Sequence, residues 1–140
     1  MKVGIAGYGV VGKTRYASIQ KNTSYKVVAI SEANYKAQKN IPSGIDVFHD
    51  YRDLISKSEL DIIFISLPNK FASDAVTLSL KKGLHVFCEK PPAKTLNELL
   101  KVKEIYNKSP KLKLMYGFNH RFHLSIEEAK SIIDSNTFGK

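Results

Sequence analysis

Short apolar runs alternate with amphipathic stretches along the whole chain of 140 residues. Lys2–Ala6, Tyr25–Ser31 and Asp61–Leu67 read as strands, because their β-branched residues suit a pleated, buried surface. Asp61–Leu67 (D-I-I-F-I-S-L) is nearly continuous in apolar residues, as expected of a strand covered on both faces. Leu84–Cys88 and Lys113–Gly117 complete the strong strands, and Asp46–Phe48 is a weaker one. The stretches between them predict helices at about Val10–Asn22, Tyr51–Lys57 and Phe71–Lys82. A short helix is predicted within Asn34–Asn40 and ends before Pro42–Gly44. Asp50 is placed to cap the helix at Tyr51, and Gly83 suits the position just past a helix end. Thr95-Leu96-Asn97-Glu98 has capping-box spacing and opens a helix to about Lys108. Ser125-Ile126-Glu127-Glu128 repeats that spacing. It predicts a last helix with Ile126, Ala129, Ile132 and Ile133 on one face.

Alternation this regular predicts an α/β fold, a doubly wound parallel sheet with helices on both faces. Ligands of such sheets bind beyond the carboxyl ends of the strands. The chemistry-bearing motifs of this chain fall there.

The first strand runs into Gly7-Tyr8-Gly9-Val10-Val11-Gly12, the spacing G-x-G-x-x-G. Gly7 allows a tight turn, Gly9 a close backbone approach by a pyrophosphate, and Gly12 close packing of helix on strand. The phosphates would sit at the helix N-terminus, where free N–H groups and the dipole favour anions. Glu32 follows the second strand, 20 residues beyond Gly12. A carboxylate there can accept hydrogen bonds from the ribose hydroxyls and repels a 2′-phosphate. The expected cofactor is therefore NAD, with NADP the alternative; Lys13 and Arg15 are cations that can soften the preference. Leu67-Pro68-Asn69 ends the fourth strand, where proline stops the ladder and Asn69 is placed to cap a helix.

Glu89-Lys90-Pro91-Pro92 follows the fifth strand. Lys90 can donate to a substrate hydroxyl and stabilise charge on its oxygen, or it can simply pair with Glu89. A cis Lys90–Pro91 bond is open to this turn. Phe118-Asn119-His120-Arg121-Phe122-His123 follows the last strand, with Asn119 placed for the nicotinamide end of a cofactor. His120 and His123 have no Cys or carboxylate at ligand spacing, so no metal site is expected.

Composition narrows the picture. Hydrophobic residues make up 43% and charged residues 25%, which fits one ordinary globular domain over residues 1–140. No apolar run approaches the roughly 20 residues of a membrane span, and the start has no signal-peptide architecture. The single cysteine, Cys88, excludes an internal disulfide framework and fits a reducing compartment, so the expected location is cytoplasmic. Cys88 itself reads as a buried strand residue rather than a nucleophile. The net charge of +9 comes from 19 lysines and three arginines spread along the chain. Without an arginine cluster, this is a solvated surface rather than a nucleic-acid interface.

Taken together, V-G-I-A-G-Y-G-V-V-G (3–12), V-V-A-I-S-E (27–32), D-I-I-F-I-S-L-P-N (61–69), G-L-H-V-F-C-E-K-P (83–91) and G-F-N-H-R-F (117–122) resemble one family. It is the N-terminal half of the glucose–fructose oxidoreductase/inositol dehydrogenase family, written Gfo/Idh/MocA. The resemblance implies a Rossmann-type NAD(P)-binding domain, with Lys90 near the nicotinamide and touching the substrate hydroxyl. It implies sugars, polyols or nucleotide-linked sugars as substrates; composition and charge add the expectation of no nucleic-acid or membrane partner. A non-catalytic NAD-binding regulator is the alternative within the family. Many members carry a histidine three positions after Pro-Asn; Ala72 stands there in this chain. Members also continue beyond a Gly-Lys pair like Gly139-Lys140 into a second domain. That domain supplies most of the substrate pocket, a proton-handling histidine and the homo-oligomer contacts. The expectation is that residues 1–140 are the dinucleotide-binding domain alone, and bind cofactor better than they turn over substrate.

Overall fold

In the computed structural model, residues 1–137 and 139 are described; Lys140 of the Gly139-Lys140 pair lies outside them. Six strands are present: β1 (Lys2–Ala6), β2 (Lys26–Ser31), β3 (Asp46–Phe48), β4 (Ile62–Ile65), β5 (His85–Cys88) and β6 (Leu114–Tyr116). They form one sheet in the order β3-β2-β1-β4-β5-β6, and every neighbouring pair is parallel. The helices are α1 (Val10–Ile19), α2 (Tyr35–Gln38), α3 (Tyr51–Lys57), α4 (Asn69–Lys81), α5 (Leu96–Asn107) and α6 (Leu124–Asp134). A 3-10 turn, Asn119–Phe122, precedes α6. The expected doubly wound sheet is thus present. Its order reverses at β1, and the crevice between β1 and β4 is where this architecture holds ligands.

Strand periodicity divides the core. Ala6, Ile63 and Ile65 face one side with Leu54 and Ile55 of α3, Ala75, Val76 and Leu80 of α4, and Val102 of α5. Val3, Ile5, Val27 and Ile30 face the other side with Ile19 of α1 and the edge of Phe64. Ile63, Ile65 and Phe64 on opposite faces of β4 explain its unbroken apolar reading.

Caps fix several helix starts. Asn34 accepts from the Lys36 N–H at 3.0 Å, and Asp50 accepts from the Arg52 N–H at 2.7 Å. Thr95 accepts from the Glu98 N–H at 3.3 Å, while the Glu98 carboxylate accepts from the Lys94 N–H and from Ser73 of α4. That last bond ties α5 to α4.

Some boundaries differ from expectation. Helix α1 ends at Ile19 rather than near Asn22, because Asn22 Oδ1 accepts from the Ser24 N–H and turns the chain out. Helix α4 starts at Asn69 rather than Phe71. Pro68, with φ −53°, occupies the cap position, so Asn69 is the first helical residue and not the cap. The Ser125 capping box does not form: α6 starts two residues earlier than that box requires, at Leu124, with His123 before it and no side-chain cap. The apolar face of α6 is correct in its spacing, but Ile126, Ile132 and Ile133 are exposed rather than packed on the sheet.

Cys88 is 1% exposed at the end of β5, and its Sγ lies 3.4 Å from the Glu89 carbonyl oxygen. Burial, with a smaller push from the Glu89 charge, raises its thiol to about 12. The folded state therefore holds the Cys88 proton more tightly than the unfolded chain does. That contribution to stability is complete below the ordinary thiol range, near pH 8.5, and is lost as pH rises towards 12. Denaturant midpoints should fall between about pH 8 and pH 11 in the wild type and fall less in Cys88→Ala. Parallel pH slopes for the two proteins would contradict this account of the thiol.

Candidate functional site

The carboxyl ends of β1 to β4 enclose a cleft of about 550 Å³. Gly7, Gly9, Glu32, Leu67 and Pro68 line it, five of the residues expected from sequence. It is built on the glycine turn. Gly7 has φ +90°, and a Cβ there would lie 2.7 Å from the Ser66 carbonyl oxygen. At Gly12 a Cβ would lie 2.0 Å from the Gly7 carbonyl oxygen, so α1 crosses the strand end at backbone contact. Gly9 differs: a Cβ there would meet no protein atom within 4 Å. Its φ of −67° and ψ of −163° suit any residue. Nothing within the fold requires glycine at this position, and the open space lies on the cleft at the start of α1.

Glu32 is bound into the same turn. Its carboxylate accepts from the Tyr8 N–H at 3.0 Å and from the Asn34 N–H at 2.9 Å. Its own N–H donates to the Phe48 carbonyl at 2.9 Å. A carboxylate has about four lone-pair sites, so two remain for further donors. The acid and the glycine turn, 24 residues apart, are thus one structure at the cleft floor.

The remaining expected residues divide. Tyr8 and Gly12 are buried beneath the turn, Val10 and Val11 are exposed on the first turn of α1, and Asn69 is exposed at the start of α4. Glu89, Lys90 and Asn119 do not line this cleft; they follow β5 and β6 along the same sheet edge. β5 is two ladder spacings from β1, roughly 10 Å. Lys90 is exposed, and among the described residues it takes part in no ion pair or side-chain hydrogen bond. Its bond to Pro91 is cis. Asn119 is also exposed, in the 3-10 turn. His120 and His123 stack on each other with ring centroids 4.9 Å apart, and no group of three potential metal ligands occurs among the described residues.

The alternative pairing of Lys90 with Glu89 is absent. Glu89 pairs instead with Arg15 of α1, whose Nε donates to Oε1 at 2.6 Å. Arg15 is therefore committed to β5 and does not stand beside Glu32 to receive a 2′-phosphate. Lys13 lies over the Tyr8 ring, 5.9 Å from its centroid. Ala72 of α4 is buried in the core and does not line the cleft.

The other wall of the cleft lies outside the sequence-based expectations. His49, Asp50, Tyr51 and Arg52 line it from the β3 end, and Phe71 of α4 packs on Tyr51 with ring centroids 6.0 Å apart. The Tyr51 hydroxyl donates to Asp74 at 2.6 Å, and Arg52 reaches Asp74 at 2.8 Å and Asp50 at 3.8 Å. His49 stacks on Tyr35 at 4.4 Å. Burial and the bond to Asp74 push the Tyr51 hydroxyl well above its usual range, so it remains a donor. A signal for this wall exists in the sequence: Asp50-Tyr51-Arg52 comes after β3 just as Glu32 comes after β2.

A 3-2-1-4-5-6 parallel sheet with an open glycine turn, an acid tied to it and a cleft at the switch point defines a Rossmann-type dinucleotide-binding unit. The chain belongs to the Gfo/Idh/MocA oxidoreductase family with an NAD-binding Rossmann fold, whose family model matches residues 1–118. It is 30% identical over its full length to inositol 2-dehydrogenase of Salmonella typhimurium, covering 43% of that protein. D-glucoside 3-dehydrogenase of Escherichia coli is 27% identical, with 100% of this chain and 41% of that protein covered. Among solved structures, scyllo-inositol dehydrogenase from Lactobacillus casei with bound NAD(H) and scyllo-inositol superposes with a TM-score of 0.90 at 28% identity. All of this chain and 42% of that one are covered. The chain thus spans about two-fifths of the length of these relatives.

Proposed function

We propose that this chain is the NAD-holding unit of a dehydrogenase that acts on a polyol or sugar-like alcohol. One observation carries the reading: Gly9 is open space at the start of α1, in a turn whose neighbouring N–H is already bonded to Glu32. A backbone free of side-chain bulk beside a helix start suits a diphosphate, and the two unused lone-pair sites of Glu32 suit ribose hydroxyls. In this reading Gly7, Tyr8, Gly9, Val10, Val11 and Gly12 form the phosphate turn. Leu67, Pro68 and Asn69 form a wall, and Glu89, Lys90 and Asn119 serve the nicotinamide end. The bound NAD(H) and scyllo-inositol of the Lactobacillus casei structure support the cofactor and the substrate class.

NAD, when bound, supplies the hydride acceptor. Lys90 supplies an ammonium with no ion-pair partner among the described residues, which donates to the substrate oxygen and balances charge there as the carbon is oxidised. The unpaired Lys90 favours an enzyme over a regulator, since a regulator has no use for a free ammonium at that edge. Scattered lysines argue against nucleic acid, and a lone buried cysteine supports a cytoplasmic location. No helix among the described residues is long and apolar enough to cross a membrane. Homo-oligomer contacts would belong to the part of the relatives that this chain does not span.

Calorimetric titration of the chain tests the cofactor. Glu32 and Asp50 line the cleft, and Arg52, its one lining arginine or lysine among the described residues, is shared between Asp50 and Asp74. NAD should bind about tenfold or more tighter than NADP, because the added phosphate meets carboxylates. Equal or reversed affinities would refute this reading of the cleft.

A further inference from the structure

We infer that Arg15 is a positioning residue for Lys90: it holds the Glu89 carboxylate on α1 and so keeps the Lys90 ammonium free. The inference rests on the proposed role of Lys90 as the group that contacts substrate.

The geometry is specific. Glu89 and Lys90 are adjacent just past the end of β5, yet the Glu89 carboxylate is engaged elsewhere. Arg15 holds it from 74 residues away, with Nε at 2.6 Å from Oε1 and a second contact from its terminal nitrogen. The side chains are only 22% and 12% exposed, so the pair is little screened by water. The guanidinium also lies over Phe87, 4.8 Å from the ring centroid, and Phe87 packs on Phe64 at 5.2 Å. The Arg15 head is thereby held between an aromatic floor and the carboxylate. The Glu89 N–H donates to the Ile65 carbonyl at 2.9 Å, which fixes the backbone from which both side chains depart. On the far side, a Cβ at Gly117 would lie 2.8 Å from Glu89 Oε2, so β6 leaves room for the carboxylate to lie flat against it.

Removing the Arg15 charge leaves a mostly buried carboxylate without its partner. The adjacent Lys90 ammonium is the cation best placed in sequence to replace it. A carboxylate-paired ammonium is a poorer nucleophile and a less available donor. Arginine rather than lysine suits this task, because its planar fork both stacks on Phe87 and grips the carboxylate.

The test is acetylation of the chain by an N-hydroxysuccinimide ester, with Lys90 quantified by peptide mass spectrometry against the other lysines. Arg15→Met should lower Lys90 labelling about threefold or more relative to the others, and Arg15→Met/Glu89→Gln should restore it. A merely structural role for Arg15 would instead raise labelling across many lysines, without rescue by the second change; that result overturns the inference. Where Arg15→Met does not fold, Arg15→Gln is read in its place, with the same expected fall, rescue and overturning result. In Glu89→Gln, a rise of more than about twofold in Lys90 labelling shows that Glu89 already engages Lys90 and overturns the inference. Protection of Lys90 by added NAD in the wild-type chain is read separately. Its absence would defeat the functional reading while leaving the Arg15 comparison intact.

Discussion

Gly9→Val should weaken NAD binding by about 100-fold or more while leaving the fold unchanged. The two halves of this expectation have separate causes. The backbone at Gly9 is in an ordinary region, and a Cβ there meets no protein atom within 4 Å. The Cβ of valine therefore meets no clash, and the change should cost the fold about 1 kcal/mol, the scale of an N-cap substitution. Its branched side chain would fill the space beside the first turn of α1, where the diphosphate has to approach. Gly12 is the opposite case. There a Cβ would lie 2.0 Å from a backbone oxygen, so the fold itself requires glycine. A thermal melt and a calorimetric titration of Gly9→Val separate the effects. Retained affinity would mean that the glycine run is only a turn.

Lys90→Ala should lower kcat by about 100- to 1,000-fold in a protein carrying the remaining length of the relatives, with NAD affinity changed by about threefold or less. Lys90 lies two strands from the glycine turn and does not line the cleft that begins there, so its loss should spare cofactor binding. Its ammonium has no ion-pair partner among the described residues, so removing it deletes a donor without leaving an orphaned buried carboxylate. The loss should therefore appear in turnover. An unchanged rate would make Lys90 a surface residue, and an equal fall in NAD affinity would make it a cofactor ligand only. Steady-state kinetics with a polyol substrate, alongside NAD titration of the same variant, distinguish these outcomes.

Local patterns made most of the fold legible. Every strand among the described residues is legible, because each is short, rich in β-branched or other apolar residues and bounded by a turn. The glycine run and Glu32 were legible because their roles are fixed by sequence spacing within one βαβ unit. Contacts between distant segments were not. Nothing near Arg15 announces Glu89, and nothing near Glu89 excludes the adjacent Lys90 as its partner. The Asp50–Arg52 wall carries only the weak signal of following β3, a strand of three residues. A strand that short does little to mark its neighbours as part of the sheet's carboxyl edge. Helix α6 shows the limit of periodicity. Its apolar stripe has the spacing of a core-facing helix, yet Ile126, Ile132 and Ile133 are exposed. An amphipathic pattern states that a face can be covered; it does not state by which surface.

The most direct test is a crystal structure of the chain with NAD. The diphosphate should lie against the backbone of Gly9–Val11, the adenosine ribose on Glu32, and the nicotinamide should extend along the sheet edge towards Lys90. A cofactor with its diphosphate away from Gly9, or with its nicotinamide leaving past His49 at the β3 edge, would contradict the account.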